Sequence, residues 1–317
     1  MTHSLKHSQV ATNGISLHMV EAGEGLPVLF CHGFPDTWRT WRQQLAAVAA
    51  AGYRAIAVDM RGFGRSSAPA DAALYTPFHT VGDLVGLLAH LGLSSVVVVG
   101  HDFGAAVAWQ AALMRPDLFR GVFCLSVPFM PRGETSFLDQ LRAAGQTNFY
   151  MFDQMKPEAD AEWADAARTI PGALYWASGT PPAATRWSPF DPARRLTRPA
   201  PVAVPPWADP ADVAYTVAEF ARTGFHGPLN NYRMIQLFFD LSGAFAGAVI
   251  RQPSFFLMGL ADGANETHRA TTEELRQALP GLVGHVELAG VGHWVQQEAP
   301  AATNAALLGF LQEVGNW

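Results

Sequence analysis

The chain has 317 residues, of which 49% are apolar and 15% charged, with a formal net charge of −6 at pH 7. This length suits one main domain carrying a substantial insertion, and this composition suits a buried core rather than disorder. The acidic balance, the lack of a basic block and the absence of any apolar run near the roughly 20 residues of a membrane span argue against nucleic acid or a membrane as partner.

The N-terminal stretch MTHSLKHSQVATNG has no apolar core of signal-peptide type. Cys31 and Cys124 each sit in a strand-like apolar run; two such residues read as core rather than as a disulfide scaffold. A cytoplasmic protein is expected, as a monomer or homodimer.

In chain order, Ile15 to Val20 reads as an early strand, and Pro27 to Cys31 (PVLFC) as a short buried one ending at His32-Gly33. Trp38 to Ala51 has helical spacing and stops at Gly52, and Arg54 to Asp59 is strand-like. Val81 to Leu91 is helical and stops at Gly92. Val96 to Val99 gives the clearest strand signal, because four β-branched residues in a row favour extended backbone. Ala105 to Arg115 is helical with Pro116 behind it, and Gly121 to Leu125 is a further strand. Near-continuous apolar strands separated by helices predict a mostly parallel sheet covered on both faces.

The alternation breaks from about Met130 to Asp240, where the chain is aromatic, proline-rich and irregular. Nine of the 22 prolines fall between Pro181 and Pro210, which predicts a long surface loop. A helix follows, with Asp209 as its cap, Pro210 in its first turn and Gly224 at its end. Strand and helix signals resume at Ser254 to Met258, Val286 to Leu288 and about Ala301 to Val314. The pattern predicts an α/β core over 1–129 and 241–317, with a mainly helical lid inserted over 130–240.

The most informative segment is Gly100-His101-Asp102-Phe103-Gly104, between the valine strand and the next helix. A sharp strand-to-helix turn needs small residues two before and two after its apex, and pushes the apex side chain out over the C-terminal edge of the sheet. The helix N-terminus behind it favours negative charge. With Asp at the apex instead of Ser, the nucleophile is already anionic: it can displace a leaving group from a saturated carbon to form an ester, which water must then hydrolyse. Read alone, the same Asp serves equally as a helix cap.

His293, in the loop Gly290-Val291-Gly292-His293-Trp294 after the last strand signal, is placed to activate that water. Asp262, at the end of the strand Ser254 to Met258, is placed to orient the imidazole, with Glu266 as a rival. The order nucleophile, acid, histidine is that of an α/β-hydrolase fold. Backbone N–H groups of Phe34, in the loop His32-Gly33-Phe34-Pro35, and of Phe103 would form an oxyanion hole.

Together the stretches HGFPDTWRTWR, DMRGFGRSSAP, GHDFGA, SVPFMP, GFHGPLNNYR and GVGHWVQQEAP make the chain resemble, over nearly its whole length, the soluble epoxide hydrolases of the α/β-hydrolase superfamily. The resemblance implies Asp102 as nucleophile, Asp262 as charge-relay acid and His293 as base. It also implies Tyr232 as a lid tyrosine donating to the epoxide oxygen, with no metal or organic cofactor. Such enzymes place a second lid tyrosine in a segment similar to Asn148 to Gln154, where alignment puts Phe152. Phe donates no hydrogen bond; Tyr150, reached by a one-turn slip, Tyr175 and Trp176 are the candidate replacements. The aromatic lid implies an apolar or aromatic epoxide as substrate. The same nucleophile also serves haloalkane and haloacid dehalogenases, which usually carry Trp or Arg where this chain has Phe103. A catalytically weak binding protein of this fold is a further alternative.

Overall fold

The computed structural model describes residues 4–315. Strands β1 (Lys6–Thr12) and β2 (Ile15–Ala22) form a hairpin. Its turn residues Asn13 and Gly14 both have positive φ, 44° and 78°, the turn geometry that matches strand twist. Strand β1 has no apolar run to announce it: within KHSQVAT only Val10 and Thr12 are buried. There follow β3 (Pro27–Cys31), α1 (Arg42–Ala50), β4 (Arg54–Val58), α2 (Pro77–His90), β5 (Val96–His101), α3 (Phe103–Met114) and β6 (Phe119–Leu125). The helix expected from Trp38 opens as a separate 3-10 turn, Trp38–Trp41, capped by the Thr37 side chain. Helix α2 starts a turn earlier than its apolar periodicity, because Pro77 fits the first helical position.

Between β6 and β7 (Ser254–Gly259) lie α4 (Phe137–Ala143), α5 (Tyr150–Gln154), α6 (Glu158–Trp163), α7 (Ala166–Trp176), α8 (Pro210–Thr223), α9 (His226–Arg233) and α10 (Ile235–Leu241). Residues 137–176 are therefore more regular than expected. Helices of one to three turns give little periodicity, and Pro171 lies inside α7. The proline-dense stretch is irregular as expected, apart from the single 3-10 turns Ala183–Thr185 and Pro192–Arg194. Helix α8 has the expected Asp209 cap and ends at Gly224. The chain closes with α11 (Thr272–Ala278), β8 (Leu282–Leu288), α12 (Val295–Glu298) and α13 (Pro300–Val314).

All eight strands form one sheet in the order β1-β2-β4-β3-β5-β6-β7-β8. The β1–β2 and β2–β4 pairs are antiparallel and the rest parallel. In β5 the alternation of side chains divides the valines between two cores: Val96 and Val98 pack into one, Val97 and Val99 into the other. Both faces are covered, which is why this strand reads as an unbroken apolar run. From β3 the chain passes to β4 on one side and to β5 on the other. The C-terminal ends of β3 and β5 thus flank the crevice where such sheets bind ligands. Among the described residues no helix is long and apolar enough to cross a membrane.

Candidate active site

The turn after β5 is sterically fixed. A Cβ at Gly100 would run into the Gly104 carbonyl, and one at Gly104 into the Cys31 carbonyl. Glycine at both places lets α3 start hard against the ends of β5 and β3. Between them Asp102 takes φ 55°, ψ −124°, a conformation unfavourable for a residue with a Cβ by about 1–3 kcal/mol. The reading of Asp102 as a helix cap fails on geometry: its side chain caps nothing in α3. Its Oδ1 instead accepts from the Phe34 N–H at 2.7 Å, across from the β3 loop. Gly33 must lack a side chain, since a Cβ there would collide with the Asp102 carboxylate. The Phe103 N–H is the first of α3 and has no carbonyl partner within the helix.

His293 sits between two carboxylates. Its Nδ1 lies 2.8 Å from Asp262 Oδ2, and its Nε2 3.5 Å from Asp102 Oδ2. Asp262 ends the turn after β7, where its Oδ1 accepts from the Ala264 N–H at 2.9 Å and its other oxygen faces the imidazole. Burial works against charge on His293, but the charges of Asp262 and Asp102 and its bonds to both win, and its pKa is raised to about 10. Burial likewise opposes the Asp102 carboxylate; the bond to His293, the His293 charge and the Phe34 N–H still hold its pKa below the usual value. The resting arrangement is an imidazolium between two carboxylates.

The loop carrying His293 is itself held. Its carbonyl accepts from Ser126 Oγ at 2.7 Å and faces His101 Nε2 at 2.8 Å. Glu298 accepts from the Gly179, Gly292 and Trp294 N–H groups at 2.8, 3.0 and 3.0 Å. Burial, followed by the charge of His293, drives the His101 pKa down to about 3, so that ring is neutral. Sequence reasoning passed over Ser126, His101 and Glu298, because each bonds backbone groups of the loops; of the three, Ser126 also borders the cavity. Glu298 lay inside the quoted stretch GVGHWVQQEAP but carried no signal of its own.

Above Asp102 and His293 is a cavity of about 360 Å³ with mostly apolar walls. Tyr232 of α9 lines it, its ring edge-on to Phe34, Phe103 and Tyr150 at centroid distances of 5.4, 4.7 and 6.0 Å. Tyr150 of α5 also lines it, steadied by a Trp187 ring at 5.1 Å and by its own N–H bonded to the Pro189 carbonyl at 2.7 Å. Burial pushes both phenols well above their ordinary pKa, followed for Tyr150 by the Asp102 carboxylate and for Tyr232 by the neighbouring Tyr150, so both are neutral O–H donors.

The alignment to Phe152 is corrected by this arrangement. The Phe152 ring lies outside the cavity, under the Arg142 guanidinium at 5.0 Å. Residue 150 is the position of this short helix that faces Tyr232, and residue 152 lies on its other side. Tyr175 and Trp176 are also away from the cavity: Trp176 stacks under Arg198 at 3.9 Å and donates to the Arg198 and Pro199 carbonyls, and the Tyr175 ring packs edge-on against Trp176. Glu266 is no rival to Asp262, since its carboxylate accepts from Ser188 and pairs with Arg194 at 3.6 Å.

A family model described as alpha/beta hydrolase fold matches residues 27–300. An epoxide hydrolase of Caballeronia sordidicola is 58% identical over 99% of this chain and 96% of its own length. Epoxide hydrolase A of Mycobacterium tuberculosis is 40% identical over 95% of this chain and 96% of its own. Among solved structures, epoxide hydrolase A from Mycobacterium thermoresistibile matches with a TM-score of 0.90 at 39% identity, over 98% of both chains.

Proposed function

The chain belongs to the epoxide hydrolases of the alpha/beta hydrolase fold, and on that premise we propose that it opens epoxides to vicinal diols through an ester on Asp102. The observation that carries this reading is an anionic nucleophile facing two neutral phenols across one apolar cavity.

Ring opening expels an alkoxide, a poor leaving group in an apolar space. Tyr150 and Tyr232 hydrogen-bond the epoxide oxygen and supply its proton as the Asp102 oxygen bonds to a ring carbon. The phenolate left behind regains a proton, relayed by water, from the His293 imidazolium. Phe34 and Phe103 N–H groups then hold the negative oxygen that develops when water attacks the ester's carboxyl carbon. The full-length relatives are epoxide hydrolases, and Phe103 stands where dehalogenases usually carry Trp or Arg, so we set the dehalogenase reading aside.

The same geometry switches His293 on at the right step. In the resting site its pKa of about 10 makes it a poor base. Once Asp102 is esterified, that carboxylate charge is gone, and with it part of what holds the proton on the imidazole. His293, neutral once its proton has passed to the phenolate, takes one from the attacking water and hands it to the departing diol oxygen while Asp262 keeps the ring oriented, and the proton left on the Asp102 carboxyl then returns to His293.

Residues 130–240 act as the lid in this scheme, carrying both phenols. The substrate is a small apolar or aromatic epoxide at its reacting end, and neither metal nor organic cofactor takes part. The two cysteines are free and buried, which fits the reducing cytoplasm that we propose as the location. The test is His293→Gln with styrene oxide: mass spectrometry should find the peptide containing Asp102 heavier by one substrate. An unmodified peptide in a folded, epoxide-treated variant would sink the scheme.

A further inference from the structure

The loop that carries His293 is sandwiched between two other stretches of backbone. On one side stands the end of β7, which leads to Asp262. A Cβ at Gly259 would strike the Val291 and Gly292 carbonyls, and the Ala261 N–H donates to the Val291 carbonyl at 2.8 Å. On the other side stands the lid, just past α7. A Cβ at Gly292 would strike the Ala177 carbonyl, and one at Gly179 would strike the Gly290 carbonyl. The acid's strand, the base's loop and the lid thus touch with no side chain between them, which only glycine permits.

The lid side is bonded as well as packed. The last carbonyls of a helix lack partners within it. Here the His293 N–H itself donates to the Ala177 carbonyl at 2.9 Å, and the Trp294 indole N–H reaches the Ala173 carbonyl at 3.4 Å. Ser178 Oγ fixes the turn that follows, donating to the Tyr175 carbonyl at 2.8 Å and accepting from the Thr180 N–H at 3.2 Å. Glu298 closes the joint. Its Oε2 accepts from Gly179 of the lid and from Gly292 of the base loop, and its Oε1 from Trp294. A carboxylate withdrawn from water costs free energy that a neutral residue would not. Neither Gly179 nor Glu298 lines the cavity, so this joint does not act on the substrate directly. Nor does it seat the phenols, which rest on Phe34, Phe103 and Trp187.

We propose that lid residues 177–179 are the seat of the base, and that Glu298 is a positioning residue which fastens His293 to that seat within reach of the Asp102 ester. The lid then serves both halves of the reaction: its phenols open the ring, and its α7 end holds the imidazole that directs water. This rests on the epoxide hydrolase reading and adds to it a residue and a lid segment that act only through His293.

The experiment times the two half-reactions separately, by quenched flow with styrene oxide and mass spectrometry of the peptide containing Asp102. Glu298→Gln keeps the volume but sets an NH2 group against at least one N–H, so at least one of the three bonds is lost. Hydrolysis of the ester should slow by about 10–100-fold, the effect of misplacing a reacting group by a fraction of an ångström to an ångström, while ester formation stays within about threefold. The ester should therefore accumulate, and KM should fall along with kcat. Gly179→Ala, a change made wholly in the lid, should give the same signature by pushing the Gly290 carbonyl away; it also reads the proposal should the first variant not fold. A merely structural joint predicts otherwise: a lower Tm, and both half-reactions slowed alike or neither. Either of those kinetic results in a folded variant overturns the proposal. His293→Gln separates the two readings. If it accumulates ester and Glu298→Gln does not, the positioning role falls and the hydrolase scheme stands; if no ester forms on Asp102 in any of these proteins, both fall.

Discussion

The floor of the cavity and its cover are built on opposite principles. The floor is charged. Asp102, His293 and Asp262 come from three loops at one sheet edge, and their spacing is set by backbone: a turn without room for side chains, an Asx-type turn at Asp262, and a carboxylate, Glu298, clamping three N–H groups of neighbouring loops. The cover is neutral. Tyr150 and Tyr232 come from separate helices and are held by aromatic edges, with little polar bonding. Buried charges are costly to place and demand fixed partners; neutral donors can be positioned by ring packing alone. The comparison therefore predicts all-or-none losses on the floor and graded losses on the cover.

The largest effect falls on the floor. Asp102→Ala should lower kcat by about 10⁴-fold or more, because removing a nucleophile removes the reaction path and not merely a stabilising contact. It also leaves His293 with one carboxylate partner in place of two. Steady-state diol formation measures this, and residual turnover within tenfold of the wild type would mean that Asp102 is not the nucleophile.

On the cover, Tyr150→Phe and Tyr232→Phe should each lower kcat by about 10²–10³-fold, the usual consequence of losing one donor to a developing oxyanion. Neither change empties space, so thermal stability should stay close to that of the wild type. The double variant should lose more than either single one. If one substitution alone erased all turnover, the two phenols would not be sharing the oxygen and the graded character of the cover would be wrong.

The charge network on the floor also makes stability depend on pH. In the folded protein His293 holds its proton up to about pH 10, whereas an unperturbed histidine titrates near 6.5. Between those values the folded state binds more protons than the unfolded one. The contribution of His293 is thus complete below about pH 6.5 and is lost as pH climbs through about 10. Tm should fall over that window, and Asp262→Asn, which removes the largest of the raising influences, should flatten the fall. A Tm slope identical in the two proteins would remove His293 from the account.

The same contrast governs what could be read from the residues alone. The floor was legible because a tight turn writes itself into adjacent positions: Gly100, Asp102 and Gly104 are two apart, and the valines before them are buried on both faces. The cover was legible only in part. Tyr232 stood out through resemblance, but Tyr150 was displaced by two positions, since a five-residue helix, Tyr150–Gln154, has no periodicity from which to tell its faces apart. Which aromatic residue faces inward is decided by partners far off in sequence, such as Trp187 and Pro189. Strand β1 was missed for a related reason, because an edge strand with two buried residues looks polar.

The smallest expected effect is the sharpest check on that helix. Phe152→Leu should leave kcat and KM for styrene oxide within about twofold of the wild type, the ordinary range for a substitution that touches neither core nor site. Phe152 packs edge-on against Phe149 at 6.0 Å and under Arg142, so leucine there keeps an apolar side chain and loses one cation–π contact. Against it, Tyr150→Phe changes a single oxygen two residues away. If α5 sits as described, the smaller chemical change has by far the larger kinetic effect. The reverse order, with Phe152→Leu slow and Tyr150→Phe fast, would require α5 to turn its other face to the cavity, and the second donor would then have to be sought elsewhere on the cover.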